Sequence, residues 1–258
     1  MLLTVNEAKE IMEKNNGNLI CHSAELTELP DNLTVHGFLD VSDSNLEKVP
    51  YNLKATAINF SSTRITKLPD NFTVPDCLNI NHTDISKLPK NLSVGGSLFA
   101  TTTKIQNIPA DLYVGESLYL SDSQLDKLPD SLSINKDLYI DNTMILELPH
   151  GLKIGGKLNA DCTRLFDLPA DLQVGYGIFL SSTNLYELPD NFTVNGDLNI
   201  SYTKLLSLPK CLKVKGRLIM KGLNITKADL PKDIEVGETI VMNNEVVTLE
   251  KNRAFIER

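Results

Sequence analysis

The 258-residue chain has no tryptophan, and its 25 Lys and Arg against 33 Asp and Glu leave a formal net charge of -8. That balance provides no basic stripe to displace counterions, so a general phosphate-backbone binder is excluded and nucleic acid is not an expected partner. No apolar run approaches the roughly 18 consecutive residues of a membrane-spanning helix. Met1-Leu2-Leu3 runs directly into Asn6-Glu7-Ala8-Lys9-Glu10, without the basic opening and apolar block of a signal peptide. Cysteine is scarce and dispersed: Cys21, Cys77, Cys162 and Cys211 form no C-x-x-C pair and no metal-ligand spacing with His22, His36, His82 or His150. Gly95-Gly96 and Gly155-Gly156 carry no Walker or dinucleotide pattern. These gaps predict a protein that is not an enzyme and needs no cofactor or metal, with free thiols that suit a reducing cytoplasm. A hydrophobic content of 41% without long polar tracts excludes disorder, and the length is ample for a core.

What the chain does have is a period. Eleven of its twelve prolines, Pro30, Pro50, Pro69, Pro89, Pro109, Pro129, Pro149, Pro169, Pro189, Pro209 and Pro231, share one register, and only Pro75 falls outside it. Their spacing is 20 residues, apart from 19 before Pro69 and 22 before Pro231. The unit Leu118 to Ile134 reads L-x-L-x-x-[TS]-x-[LI]-x-x-L-P-x-x-L-x-[VI]. Its alternating pairs Leu118/Leu120 and Leu132/Ile134 predict two short strands per coil, each sending every second side chain inward. One coil cannot bury its leucines, but coils stacked at about 4.8 Å cover one another and pair into parallel sheets, giving a rod roughly 50 Å long.

Three columns are assigned to structure. The hydroxyls Ser44, Thr63, Thr83, Thr103, Ser123, Thr143, Thr163, Thr183 and Thr203 end each first strand and are expected to bond the turn backbone of neighbouring coils. Asn32, Asn52, Asn71, Asn91, Asp111, Ser131, Asp171 and Asn191 follow the prolines in tight turns, and glycines such as Gly155 and Gly175 mark the corner between strands. Thr4-Val5-Asn6-Glu7 is a capping box that opens a helix with Val5, Ala8, Ile11 and Met12 on one stripe, stopped at Asn15-Asn16-Gly17. The expected organisation is therefore a cap helix in residues 1–18, a solenoid in 19–247 and a charged C-terminal cap or tail in 248–258.

The phrase L-x-L-x-x-[TS]-x-[LI]-x-x-L-P resembles the leucine-rich-repeat family, in particular its bacterial 20-residue type with Leu-Pro in each unit. That type forms the recognition half of secreted bacterial ubiquitin-ligase effectors, and Gly-bearing variants are similar to bacterial and phage-borne repeat proteins. The resemblance covers about residues 19–245. It implies a β-rich, leucine-rich-repeat-like solenoid of about 11 coils with parallel sheets and an N-terminal cap helix, acting as a bacterial or phage modulator or inhibitor of a host protein. Here Ser or Thr replaces the family's ladder asparagine, and the position three residues before the first strand Leu holds Gly115, Asn135 or Gly155 where the family has an apolar residue, which puts a corner there.

In a solenoid, function falls to outward columns. The column between the two strand leucines contains Phe99, Tyr119, Tyr139 and Phe179, with Asp137, Asp141 and Asp161 around it. An aromatic centre with a charged rim fits a protein-binding surface on the presumed concave face. The competing reading is that cross-coil stacking of the rings only stabilises the sheet. A second column runs from polar residues into Leu146, Phe166, Tyr186 and Leu206, with Met144 beside it, and contiguous apolar area of this kind marks a possible interface. The next column changes sign, from Lys48, Lys67, Lys87 and Lys127 to Glu147, Asp167 and Glu187, as an antiparallel homodimer would require. The expected function is a non-catalytic protein-binding module. The alternatives are a small-ligand (nucleotide-like) sequestering protein, for which Lys157 and Arg217 would supply the positive group, and a structural spacer.

Overall fold

The computed structural model describes residues 1–243 and 245–249. One short strand per coil, from Leu19–Ile20 to Ile240–Val241, enters a single long sheet in chain order, every neighbour parallel. Leu138 pairs with Leu118 on one side and Leu158 on the other, so each residue meets its equivalent in the next coil. The last strand of the sheet, Val246–Val247, turns back and pairs antiparallel with Ile240–Val241. This is the expected leucine-rich-repeat-like solenoid. Inward residues such as Leu98, Leu118, Leu138 and Leu158 are fully buried, and one hydrophobic cluster runs from Leu3 to Val247.

The N-terminal helix, Val5–Lys14, starts at the capping box: Glu7 accepts from the Thr4 N–H (2.8 Å), and Thr4 Oγ1 accepts from the Glu7 N–H (3.3 Å). It packs on the first strand through Ala8, with Ile11 and Met12 against the core. Val5, expected on the same stripe, is exposed, and Leu3 takes the buried place because residues 1–3 pair with the first coil through Leu3 N–H to Glu28 C=O. The expected C-terminal tail lies, in residues 250–258, outside the described residues.

The second strand of each coil is less regular than the pattern predicts. It forms three separate three-stranded sheets, and they part after Tyr113–Val114 and after Gln173–Val174. Both breaks follow coils with Asp at the post-proline position. Asn32, Asn52, Asn71, Asn91 and Asn191 adopt left-handed backbone there, with φ from 53° to 61°, whereas Asp111, Ser131 and Asp171 do not. The N–H groups of Leu112, Leu132, Leu152 and Leu172 turn back to the proline C=O of their own coil, so this bond occurs both at the breaks and within the middle sheet. The column therefore holds two kinds of turn rather than one.

A second left-handed column stands just before the ladder hydroxyls, at Asp43, Ser62, His82, Thr102, Asp122, Asn142, Cys162, Ser182, Tyr202 and Gly222. Left-handed backbone costs an L-residue about 1–2 kcal/mol. The compensation is a further rung of the axial ladder: the Asp122 N–H reaches Asp141 C=O (3.0 Å), and the Asn142 N–H reaches Asp161 C=O (3.0 Å).

This turn explains the hydroxyls, which bond differently from expectation. All but Ser123 donate within their own coil, to the carbonyl three residues earlier, as Thr143 Oγ1 does to Ile140 (2.6 Å) and Thr163 Oγ1 to Ala160 (2.8 Å). Among the described residues no backbone N–H donates to those carbonyls, so the side chain supplies what the turning backbone removes. In one coil Ser123 Oγ is buried without a partner.

Thr143→Val should therefore cost about 1–3 kcal/mol in urea unfolding, because a buried carbonyl loses its donor, while Ser123→Ala should be close to neutral. Thr102→Gly at φ 56° should raise stability by about 0.5–1 kcal/mol, the relief of left-handed strain exceeding the extra chain entropy of glycine.

Candidate functional site

Because coils stack in register, a residue repeated at 20-residue intervals becomes an axial row. Phe99, Tyr119 and Tyr139 are such a row: neighbouring ring centroids are 4.7 Å apart and the planes lie within 10°. The spacing matches the strand separation, so the backbone ladder sets the ring separation. All three rings are half-buried. Burial and the charge of Asp137 push the Tyr139 hydroxyl upward, so it stays protonated at neutral pH.

Phe179 does not join this stack. Asn159 occupies the intervening coil, and its Oδ1 accepts from the Asp161 N–H (3.2 Å). The Phe179 ring instead leans over Gly177, where an added Cβ would lie 3.2 Å from the ring edge. The sequence grouped four aromatics on one column; the structure joins three and leaves the fourth two coils away from Tyr139.

The three carboxylates lie beside the row, and each is tied to an adjacent coil through Oδ1. Asp137 accepts from the Lys157 N–H (2.7 Å), Asp141 from Ser121 Oγ (2.6 Å) and Asn159 Nδ2 (3.1 Å), and Asp161 from the Ser181 N–H (2.5 Å). Their Oδ2 atoms accept no hydrogen bond among the described residues, so each keeps one oxygen for another donor. Burial pushes the Asp161 carboxyl above the usual range; the Ser181 N–H opposes that shift, and the charge of Asp141 adds to it. Asp161 is thus held at a cost, with no cation beside it among the described salt bridges.

The apolar edge is more exposed than the aromatic row. Met144, Leu146, Phe166, Tyr186 and Leu206 range from 37% exposed at Phe166 to 86% at Leu206. Phe166 and Tyr186 stack at 6.3 Å. An open groove of about 770 Å³ runs beside them, lined by Glu147, Asp167 and Glu187 together with Phe166, His150 and the proline column. A second groove of about 730 Å³ lies toward the N-terminus of the same edge, lined by Lys48, Arg64 and Lys67.

One cluster that pattern reading missed is His22, Asp40 and Ser42. Ser42 Oγ lies 3.0 Å from His22 Nδ1 and donates to Asp40 Oδ1 (2.8 Å). Ser61 donates to Asn59 Oδ1 in the same way one coil on, so this is the repeat's turn with a histidine above it. Burial raises the thiols of Cys21 and Cys77, and a bond to Asp233 raises that of Cys211, which disfavours thiolate chemistry. Among the described residues no group of three or more His, Cys, Asp or Glu could hold a metal ion, and no helix is long and apolar enough to cross a membrane.

No protein-family model and no curated protein matches the chain. Among solved structures it is similar to YopM, a leucine-rich effector protein from Yersinia pestis, at 15% identity over 93% of this chain and 92% of that one, with a TM-score of 0.32. It is also similar to YopM from Yersinia enterocolitica WA-314, at 14% identity over 93% and 94% of the two chains, with a TM-score of 0.26.

Asp161→Asn tests the uncompensated charge. A raised folded-state pKa means that folding favours the protonated acid, so stability falls as pH rises through that pKa. The amide keeps an acceptor for the Ser181 N–H. The variant should therefore unfold at a higher temperature than wild type at pH 7, and the difference should shrink toward acid pH.

Proposed function

We propose that this chain is a non-catalytic protein-binding repeat module whose contact face is the aromatic row with its acidic rim. The observation that carries the reading is the three-ring stack of Phe99, Tyr119 and Tyr139, a rigid apolar strip beside Asp137, Asp141 and Asp161. Large rings anchor interfaces because they desolvate much area while losing little side-chain freedom. The free carboxylate oxygens favour a partner that brings Lys, Arg or backbone N–H groups to that strip.

Two features weigh against the small-ligand reading. A nucleotide-like ligand needs a cation near the rings; Arg217 is already held by Asp197 at 2.6 Å, which leaves Lys157, in no ion pair among the described residues, to meet three carboxylates as well as the ligand. The two described grooves lie on the other edge, and the larger is lined by carboxylates. A base stacked on the rings would meet the same negative rim. Four unpaired thiols in four separate coils fit a reducing compartment such as the cytoplasm. Occupying a host protein's surface, as a bacterial or phage modulator would, needs no chemistry beyond such a face.

The test is affinity capture from host-cell lysate with wild type beside Tyr119→Ala/Tyr139→Ala, followed by titration of the captured protein in purified form. Each stacked pair contributes about 0.2–1 kcal/mol to the sheet, so the double variant should still give the wild-type circular dichroism spectrum. Its affinity should fall by at least about 30-fold, the loss of one interface hot spot. Phe179→Ala, outside the stack, should lose less. A folded double variant that binds the purified partner as tightly as wild type refutes the assignment.

A further inference from the structure

Between Glu28 and Ser207 the column just before each Leu-Pro or its equivalent is divided by charge. Lys48, Lys67 and Lys87 stand in three successive N-terminal coils, and Glu147, Asp167 and Glu187 in three successive C-terminal ones. The coils between them carry Asn107 and Lys127, which bridge to each other in parallel. Each block places like charges one strand spacing, about 4.8 Å, apart, an arrangement a solitary solenoid would relieve by alternating signs. None of the six residues forms an ion pair among the described residues. Two open grooves of similar volume occupy the same two regions: one of about 730 Å³ where Lys48, Arg64 and Lys67 outnumber Glu47 and Asp70, and one of about 770 Å³ where Asp130, Glu147, Asp167 and Glu187 outnumber Lys127.

From this complementarity we infer that the occupant of the edge is a second copy of the chain, docked antiparallel about a two-fold axis between the coils of Asn107 and Lys127. In that register Lys48 stands opposite Glu187, Lys67 opposite Asp167 and Lys87 opposite Glu147, and the two-fold repeats all three. Sliding one copy by a coil in either direction loses one match on each side and opposes lysines, Lys127 to Lys127 one way and Lys87 to Lys127 the other. Parallel docking in register sets each lysine against its own equivalent. Only this register matches all three lysine–carboxylate pairs without opposing two lysines, Lys127 meeting the neutral Asn107, which is how interfacial charge selects geometry.

The adjoining apolar column fits the same arrangement. Leu146 and Phe166 come opposite Ser86 and Thr66, short side chains that leave room for them, and Arg64 sits in the coil facing Phe166, within range of a cation–π contact. A two-fold axis makes the contact self-complementary and closed. This interface uses the edge and leaves the face of Tyr119 and Tyr139 open, so it goes beyond the protein-binding reading and fails or holds separately from it.

Sedimentation equilibrium at high micromolar concentration tests the inference, in about 0.1 M and about 1 M salt, between which the screening length falls from about 10 to about 3 Å. Wild type should give twice the chain mass at the lower salt and move toward the single-chain mass at the higher. Lys67→Glu alone and Asp167→Lys alone should each stay monomeric with wild-type circular dichroism, since both positions are on the surface. Mixed together they should recover the doubled mass, because the altered residue of each copy then faces that of the other, and the remaining natural pair is kept. A wild-type monomer at low salt overturns the inference, as does a Lys67→Glu protein that remains dimeric. A mixture of the two variants that stays monomeric overturns the antiparallel register.

Discussion

Everything in this molecule depends on the backbone ladder that joins each coil to the next. Hydrogen bonds fix the axial step at one strand separation, and they require every coil to present its donors and acceptors at the same places. A residue's environment is then set mainly by the residue one period away. Leucine lies on leucine, hydroxyl follows hydroxyl, ring lies on ring, and where the chemistry is charged, like charge lies on like charge. Packing and hydrogen bonding gain from this rule, and electrostatics loses by it.

The same constraint explains the strain. Each coil must turn sharply after its strand without leaving the axial ladder, and the left-handed residue before the hydroxyl achieves this. The turn removes the axial donor from one carbonyl per coil, and Ser or Thr three residues later returns it from within the coil. The corner glycines meet the same demand from another direction: a Cβ on Gly155 would sit 2.1 Å from the Asn135 carbonyl oxygen one coil below. There the need for glycine comes from close approach between coils.

How much of this could be read from the sequence follows from what repeats. The period, the inward leucines, the capping box at Thr4 and the parallel stacking all recur or have local signatures, and all were legible. The hydroxyl column was legible as a column, but its bonding was not, since the choice between its own coil and the neighbour's depends on the left-handed turn at residues as different as His82, Thr102 and Cys162. The breaks in the second ladder come after the coils of Asp111 and Asp171, but the coil of Ser131 lacks the left-handed turn as well and still pairs onward, so no residue type in that column announces them. At the candidate face the aromatic column was visible, yet the isolation of Phe179 depends on a single asparagine in the intervening coil. The structural use of Oδ1 on Asp137, Asp141 and Asp161 was invisible because two of its four donors, the Lys157 and Ser181 N–H groups, are backbone and the other two reach across from adjacent coils.

The terminal strand carries one more consequence. Every other rung of the long sheet is parallel, and a parallel edge offers evenly spaced groups onto which another molecule's coil could be added without limit. Val246–Val247 runs the other way, and antiparallel pairing alternates close and wide hydrogen-bond spacings. The edge there differs in spacing from that of an inner coil, while the helix Val5–Lys14 lies over the first strand at the opposite end. Among the described residues, neither end of the long sheet therefore presents the bare parallel edge that every inner coil shares.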